Sequence, residues 1–173
     1  VGYTESLTDP SYKEQILVYT YPIIGNYGVP RNNVDEFGLS NVFESDTIHV
    51  AALVVQEIVH EHSHWESEKS LHQWLYEHKI PGISGIDTRE LTKLIREHGT
   101  MKAKIVCGDL NKTETTNKTN NDEIGEIICE PVNLVQKVSR TTVTTYFKDY
   151  PRLILIIDCG IKNSIIRKLL ELN

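Results

Sequence analysis

Residues 2–28, GYTESLTDPSYKEQILVYTYPIIGNYG, decide the first part of the fold. They begin with a polar, proline-broken loop that contains Asp9, Pro10 and Ser11. An Asp side chain in such a loop accepts a hydrogen bond from the backbone two residues further on, and Pro fixes φ at the corner. The pattern therefore predicts a well-defined turn in front of the first strand.

A short strand and a glycine turn follow this loop. Residues 15–21 (QILVYTY) are rich in β-branched and aromatic side chains and stop at Pro22, which predicts a strand. Gly25 and Gly28 flank Asn26, and positive φ is cheap at residues of these types. The sequence therefore predicts a tight turn whose backbone can approach a neighbouring group closely.

The composition is that of an ordinary globular protein. A chain of 173 residues, 39% apolar and 24% charged, can form one good core, or one domain plus a piece of another. Its net charge of −6 argues against nucleic acid or an anionic membrane as the main partner, because both bind basic surfaces. We therefore expect neither among its partners.

The cysteines indicate a reducing compartment. Cys107, Cys129 and Cys159 are odd in number, widely spaced and without a C-x-x-C pair, so a disulfide framework is not expected. No signal peptide is recognisable, and the longest apolar runs are too short to span a bilayer. We therefore expect a cytoplasmic protein. Because the chain begins with Val1 rather than Met, we also expect a fragment of a longer polypeptide.

The middle of the chain alternates strand and helix signals. Residues 47–56 are apolar almost throughout and predict a buried strand. A helix is predicted over 67–79, with its first residue as the cap. Asp87 and Glu90 form the capping box of a second helix, which Gly99 ends.

The last third combines an insertion with a β-α pattern. Residues 111–122 are polar and of low complexity, which favours an exposed insertion, and residues 131–146 suggest one or two short strands. Residues 152–158 are apolar on both faces, as in a central parallel strand, and residues 162–172 form an amphipathic helix. Together they predict the first β-α unit of a doubly wound sheet, which one unit cannot cover by itself.

Two groups of side chains invite chemical hypotheses. His60, His62 and His64 alternate, so on a strand they would share a face and could hold a metal, but the polar surrounding sequence favours solvated histidines. Cys159 lies at a strand-to-helix corner, where a thiol can become nucleophilic. It lacks the G-x-C-x-G context of a nucleophile elbow, so a structural role is the favoured interpretation.

The chain resembles the glutaminase subunit of carbamoyl phosphate synthetase. Besides residues 2–28, three blocks match that family in the same order: SLHQWLYEHKIPGISGIDTRELTKLIREHGTMKAKI (70–105), VNLVQKVS (132–139) and RLILIIDCGIKNSIIRKLL (152–170). The loop VDEFGLSNVFES (34–45) looks most like the eukaryotic fused pyrimidine-pathway form. The resemblance implies an α/β protein with a layered β/β/α amino-terminal domain over residues 1–147. The start of a doubly wound, flavodoxin-like parallel sheet would then occupy residues 152–173.

The resemblance also implies an activity. Proteins of this family release ammonia from glutamine with a Cys–His–Glu triad and pass it to a synthetase subunit or domain, which makes carbamoyl phosphate from bicarbonate and ATP. The triad has no counterpart in this chain, and ATP and magnesium are expected in the synthetase portion. The family's T-D-P-S-Y serine contacts glutamine, and that position here is Ser11. Two alternatives remain open: a docking module without a part in chemistry, and the ammonia-dependent relative that has lost glutaminase activity.

Overall fold

The computed structural model describes residues 2–106, 132–147 and 151–172 and confirms the predicted α/β class. Its helices are α1 (Tyr3–Leu7), α2 (Leu71–Glu77), α3 (Thr88–His98), α4 (Leu134–Val138) and α5 (Asn163–Glu171). Its strands are β1 (Ile16–Val18), β2 (Ile23–Ile24), β3 (Val29–Pro30), β4 (Ala52–Val54), β5 (Glu57–Ile58), β6 (Ser67–Lys69) and β7 (Gly82–Ile83). The assignment of residues 1–147 and 152–173 to two domains stays a prediction.

A three-stranded parallel sheet in the order β1-β4-β7 forms the centre. Ile16 pairs with Ala52, and Leu53 pairs with Gly82. All three residues of β4 are buried, which explains why its sequence is apolar on both faces. The predicted strands over 15–21 and 47–56 are therefore confirmed, although each is shorter than its apolar run. Two small sheets, parallel β2-β5 and antiparallel β3-β6, lie beside the central one.

The hydrophobic core lies between these sheets, α1 and α2. Leu7 and Leu71 are completely buried, and the rings of Phe43 and Trp74 stack with their centroids 5.3 Å apart. Helix α1 was not predicted from the sequence, where the polar loop centred on residues 8–12 was the feature expected before the first strand. Because Tyr3 and Leu7 fall one helical turn apart and are both buried, packing against the core stabilises this short helix.

Helix α3 forms as predicted, and α2 starts later than predicted. Asp87 Oδ1 accepts from the backbone N–H groups of Arg89 (3.1 Å) and Glu90 (3.0 Å), and α3 ends at Gly99 with φ 76°. The cap of α2 is Ser70, whose hydroxyl accepts from Gln73 N–H at 3.1 Å. Residues 67–69 pair with β3 instead of entering the helix, because ladder hydrogen bonds override the local helical signal there.

Two predictions for the last third of the chain require correction. The strands expected within 131–146 are not formed in the described part of that segment, where α4 begins after Asn133, whose side chain accepts from Gln136 N–H at 3.1 Å. Residues 152–158 have no ladder partner among the described residues, so the strand of the predicted β-α unit is not formed there. Helix α5 confirms the helical half of that unit. The predicted insertion at 111–122 lies outside the described residues.

Candidate functional site

Residues 8–13, here called the Ser11 loop, form a structured corner. Residues Pro10–Tyr12 make one turn of 3₁₀ helix, and Asp9 Oδ1 accepts from Ser11 N–H at 2.9 Å. This is the turn that the sequence predicted. The Ser11 side chain is exposed, and none of the hydrogen bonds between described residues uses its hydroxyl. The hydroxyl is thus presented outward from a rigid turn, where it can both donate and accept.

The backbone of His49 joins Leu7 and Glu14, the residues on either side of the Ser11 loop, which are here called its neck. Its N–H donates to the carbonyl of Leu7 at 2.9 Å, and its own carbonyl accepts from Glu14 N–H at 3.2 Å. One residue therefore holds the chain both before and after the loop. Beyond the neck, Ala51 N–H donates to the Gln15 carbonyl at 2.9 Å, which continues the contact into the β1-β4 ladder.

Thr8 anchors the start of the loop through both its hydroxyl and its carbonyl. The buried hydroxyl donates to the Thr4 carbonyl at 2.8 Å and accepts from Glu44 N–H at 2.9 Å. The Thr8 carbonyl accepts from the Ser45 hydroxyl at 2.6 Å. Residues 44 and 45 therefore fix the position at which the chain enters the loop.

The corner between residue 158 and α5 packs directly on the Ser11 loop. Gly160 has φ 100°, and a Cβ at this position would lie 3.1 Å from Pro10 Cβ and 2.7 Å from Val138 Cγ2. Only a glycine allows this approach, because any side chain would displace the loop or α4. Lys162 Nζ lies 3.3 Å from Asp9 Oδ2, so an ion pair adds to the contact.

Asp158 shapes this corner. Its Oδ1 accepts from the N–H groups of Gly160 (2.7 Å) and Ile161 (2.9 Å), and Arg140 Nε lies 3.5 Å from its Oδ2. Burial opposes ionisation, but the backbone donors and the guanidinium outweigh it and lower the pKa of Asp158. The carboxylate therefore stays charged and holds the corner closed. Cys159 is an exposed free thiol within it, and its structural role stays a prediction.

Helix α5 is bound to the loop at 34–45 by its first turn. Asn163 Nδ2 donates to the Phe43 carbonyl at 3.0 Å, and Asn163 N–H donates to the Glu44 carbonyl at 2.9 Å. Ser164 N–H donates to the Glu44 carboxylate at 3.0 Å, where a negative charge also suits the helix N-terminus.

Arg167, one turn further along α5, makes a forked contact with the same loop. Its Nε donates to Asp35 Oδ2 and its Nη2 donates to the Ser40 carbonyl, each at 2.6 Å. Burial of Asp35 opposes ionisation, but Arg167 and the N–H groups of Leu39 and Phe37 together lower the pKa of its carboxyl. The loop and the helix therefore form one ion-paired unit.

The three alternating histidines do not form a metal site. No cluster of three or more His, Cys, Asp or Glu side chains within residues 2–106, 132–147 and 151–172 is placed to hold a metal ion. The ring of His60 packs edge-on against His72 at 5.7 Å, and the ring of His64 contacts Tyr27 at 5.8 Å. The half-buried His64 makes an aromatic contact that the solvated interpretation did not foresee.

The sequence predicted the turn that carries Ser11 but not the residues that hold this turn in place. Ser45 and Arg167 carry no local signal, because their partners lie far away along the chain. His49 offered one signal, since a polar ring stands inside the apolar run TIHVAALVV. A buried polar group in such a run needs a partner, which indicates a specific contact.

Within the described residues, none of the helices is long and apolar enough to cross a membrane.

Comparison with known proteins identifies relatives along the whole chain. The family model for the carbamoyl-phosphate synthase small chain, CPSase domain, matches residues 1–105. Multifunctional protein pyr1-3 of Dictyostelium discoideum is 44% identical over 175 residues, which cover 99% of this chain and 8% of the relative.

Two further relatives carry narrower names. Carbamoyl-phosphate synthase (ammonia), mitochondrial, of Rattus norvegicus is 43% identical over 98% of this chain and 11% of its own length. Carbamoyl phosphate synthase arginine-specific small chain of Phaeosphaeria nodorum is 43% identical over 99% of this chain and 35% of its own length. The chain therefore spans about a third or less of each of these three relatives.

Proposed function

The chain belongs to the carbamoyl-phosphate synthase small-chain family, and we propose that it supplies the docking domain and one wall of the glutamine site in a glutamine-dependent carbamoyl phosphate synthetase. In this proposal glutamine is hydrolysed beside the chain, and the ammonia passes to a synthetase subunit or domain. The family's Cys–His–Glu triad would lie in the rest of the amidotransferase domain. ATP and magnesium would act in the synthetase portion, and the assembly would be cytoplasmic.

The position of Ser11 is the observation that carries this proposal. Ser11 lies on the turn that packs against the corner at Gly160, where the chain passes from the amino-terminal part into α5. Its exposed hydroxyl makes no hydrogen bond to a described residue, so it is open to a ligand at the junction. A hydroxyl that can donate and accept suits the ammonium and carboxylate groups of an amino acid.

Replacing Ser11 in the complete enzyme tests the proposal. We expect Ser11→Ala to raise the glutamine KM roughly 10- to 150-fold, because a hydrogen bond to a charged group contributes about 1.5–3 kcal/mol. Ammonia-dependent carbamoyl phosphate synthesis should stay at the wild-type rate. Ser63→Ala is the matched control, because Ser63 is an exposed serine outside the Ser11 loop. An equal loss of both activities in Ser11→Ala would refute the proposed role.

An ammonia-dependent enzyme is the second candidate, because the Rattus norvegicus relative that is 43% identical bears that name. The complete protein would then make carbamoyl phosphate from ammonia and show no activity with glutamine. A docking module without a part in chemistry would instead bind the synthetase tightly, use glutamine normally and be indifferent to Ser11→Ala.

A further inference from the structure

We propose that Ser45 and His49 are positioning residues that set the Ser11 loop for glutamine binding, an inference that rests on the proposed function. Neither side chain would touch the ligand. Each acts through backbone groups at the neck of the loop, three to four residues away from Ser11 in the chain. The contacts of Ser45 show how this occurs.

Ser45 lies between two carbonyls and an imidazole. Its Oγ is 2.6 Å from the Thr8 carbonyl, 3.1 Å from the Thr47 carbonyl and 2.9 Å from His49 Nε2. Carbonyls only accept, so the single hydroxyl hydrogen points at them, mainly at the closer Thr8. At His49 the hydroxyl therefore accepts, and the imidazole carries its proton on Nε2. The chain of donors runs from the ring to Ser45 and from Ser45 to Thr8.

The ring of His49 would reduce stability if it only filled space in the core. With the proton on Nε2, its Nδ1 is a bare acceptor, and this buried atom has no hydrogen-bond partner among the described residues. Burial and the charge of Lys13 lower the pKa of His49, against the opposing charge of Asp9, so the ring is neutral at pH 7. An unsatisfied buried nitrogen costs stability, and an aliphatic side chain would avoid that cost. The ring is therefore explained by the hydrogen bond that it gives to Ser45.

Ring and backbone of His49 act on the same loop. The backbone holds Leu7 before the loop and Glu14 after it, while the ring, through Ser45, fixes the Thr8 carbonyl. A shift of His49 would therefore move both ends of the segment that carries Ser11. The Ser11 hydroxyl must be held to within a fraction of an ångström for a productive hydrogen bond, so such a shift would weaken glutamine binding.

Kinetics of the complete enzyme test the proposal. We expect Ser45→Ala and His49→Leu each to raise the glutamine KM at least about fivefold, with ammonia-dependent kcat unchanged. His49→Gln should restore a KM near wild type, because its amide N–H₂ can take the place of Nε2–H as donor to Ser45. Thr47→Ala keeps the backbone carbonyl, and His72→Gln replaces an exposed histidine, so both controls should leave the KM unchanged.

A double-mutant cycle tests whether Ser45 acts through the Ser11 hydroxyl or independently of it. If Ser45 acts through the Ser11 hydroxyl, then adding Ser45→Ala to Ser11→Ala should raise the KM by less than about twofold further. Full additivity of the two effects would overturn the proposal. So would a His49→Gln variant as impaired as His49→Leu.

Hydrogen exchange distinguishes failure of this inference from failure of the proposed function. In the complete protein, the backbone N–H groups of residues 8, 9 and 11–13 should exchange faster in Ser45→Ala and His49→Leu than in wild type and His49→Gln. If Ser11→Ala leaves the glutamine KM unchanged, the proposed function fails, and this exchange pattern alone decides whether Ser45 and His49 position the loop. Unchanged exchange in both variants overturns the inference, whatever Ser11→Ala does.

Discussion

Gly28 illustrates how closely single residues determine the packing around the first glycine turn. Its φ is 62°, and a Cβ there would lie 1.8 Å from Ser67 Oγ and 2.9 Å from the Lys69 carbonyl. The serine hydroxyl can rotate away, but the carbonyl belongs to β6 and cannot. The sequence predicted such a close approach from the Gly-Asn-x-Gly pattern, and the structure identifies the strand that is approached.

Substitution of Gly28 should therefore cost more than its φ angle alone implies. We expect Gly28→Ala to lower the free energy of unfolding by about 2–4 kcal/mol, from backbone strain plus the clash with β6. Gly38→Ala is the matched control, because Gly38 also has positive φ, 74°, but no atom within 4 Å of the added Cβ. It should cost only about 1 kcal/mol. Equal costs in urea titrations of the two purified variants would contradict the clash.

The neutral ring of His49 also predicts a pH dependence of stability. Its folded pKa is lowered below the ordinary value of 6.5, so the unfolded chain takes up a proton first as the pH falls. Because the unfolded state then binds more protons, the free energy of unfolding decreases below about pH 6.5. In His49→Gln this contribution is absent, so the decline between pH 7 and pH 5.5 should be shallower than in wild type. Identical slopes in urea titrations across this range would show that the ring is not buried as a neutral group.

At the scale of elements, local signals predicted what depends on neighbouring residues. The prediction of helix α3 was correct because the signals for its cap at Asp87 and its end at Gly99 lie within its own sequence. The predicted start of α2 was wrong because Ser67 pairs with β3, which is distant in the chain. Helix α4 was missed because the apolar residues of VNLVQKV fit a strand and a helix about equally well in so short a segment.

The candidate site divides in the same way. The turn at Asp9 and Ser11 follows from adjacent residues, so its geometry could be predicted. The hydrogen bonds of His49 and Arg167 join segments that only the folded chain brings together. Long-range polar contacts of this kind have no period in the sequence, and single-sequence reasoning cannot find them.

Arg167 should prove essential for the attachment of α5. Arg167→Lys leaves a charge but loses the fork that contacts Asp35 and Ser40 together, so we expect the free energy of unfolding to fall by about 1–2 kcal/mol. Lys168→Ala serves as control, because the only side-chain partner of Lys168 among the described residues is Glu171, in an exposed pair, and its loss should change stability by less than about 0.5 kcal/mol. Urea unfolding of both variants measures the difference. Arg167→Lys with wild-type stability would mean that the fork contributes nothing.

For the whole molecule, the polar contacts form one continuous path from α5 to the Ser11 loop. Asn163 and Arg167 hold the loop at 34–45, whose last two residues hold Thr8. Gly160 and Lys162 add a direct contact with Pro10 and Asp9. Packing and ion pairs therefore set the position of α5 relative to the Ser11 loop. This arrangement suits a site formed where the two meet.

The polar contacts between α5 and the Ser11 loop leave an apolar surface exposed. Residues 140–147, 152–158 and α5 surround a groove of about 770 Å³. Leu153, Leu155 and Ile157 are 92%, 89% and 86% exposed, whereas Ile154 and Ile156 are 50% and 41% exposed. This alternation is the period of an extended chain with one face partly covered. The open face joins three large aliphatic side chains in a row, and a contiguous apolar patch of this kind binds hydrophobic probes.

The open row should therefore dominate dye binding by the 173-residue chain. We expect the combined substitution Leu153→Lys and Leu155→Lys to reduce ANS fluorescence by more than half, because two charges interrupt the patch. Stability against urea should stay within about 0.5 kcal/mol of wild type, since neither side chain is buried. Val34→Lys is the matched control, because Val34 is 60% exposed and does not line this groove. If Val34→Lys lowers the fluorescence as much as the double substitution, dye binding reports scattered apolar side chains, and the row at 153–157 does not act as one surface.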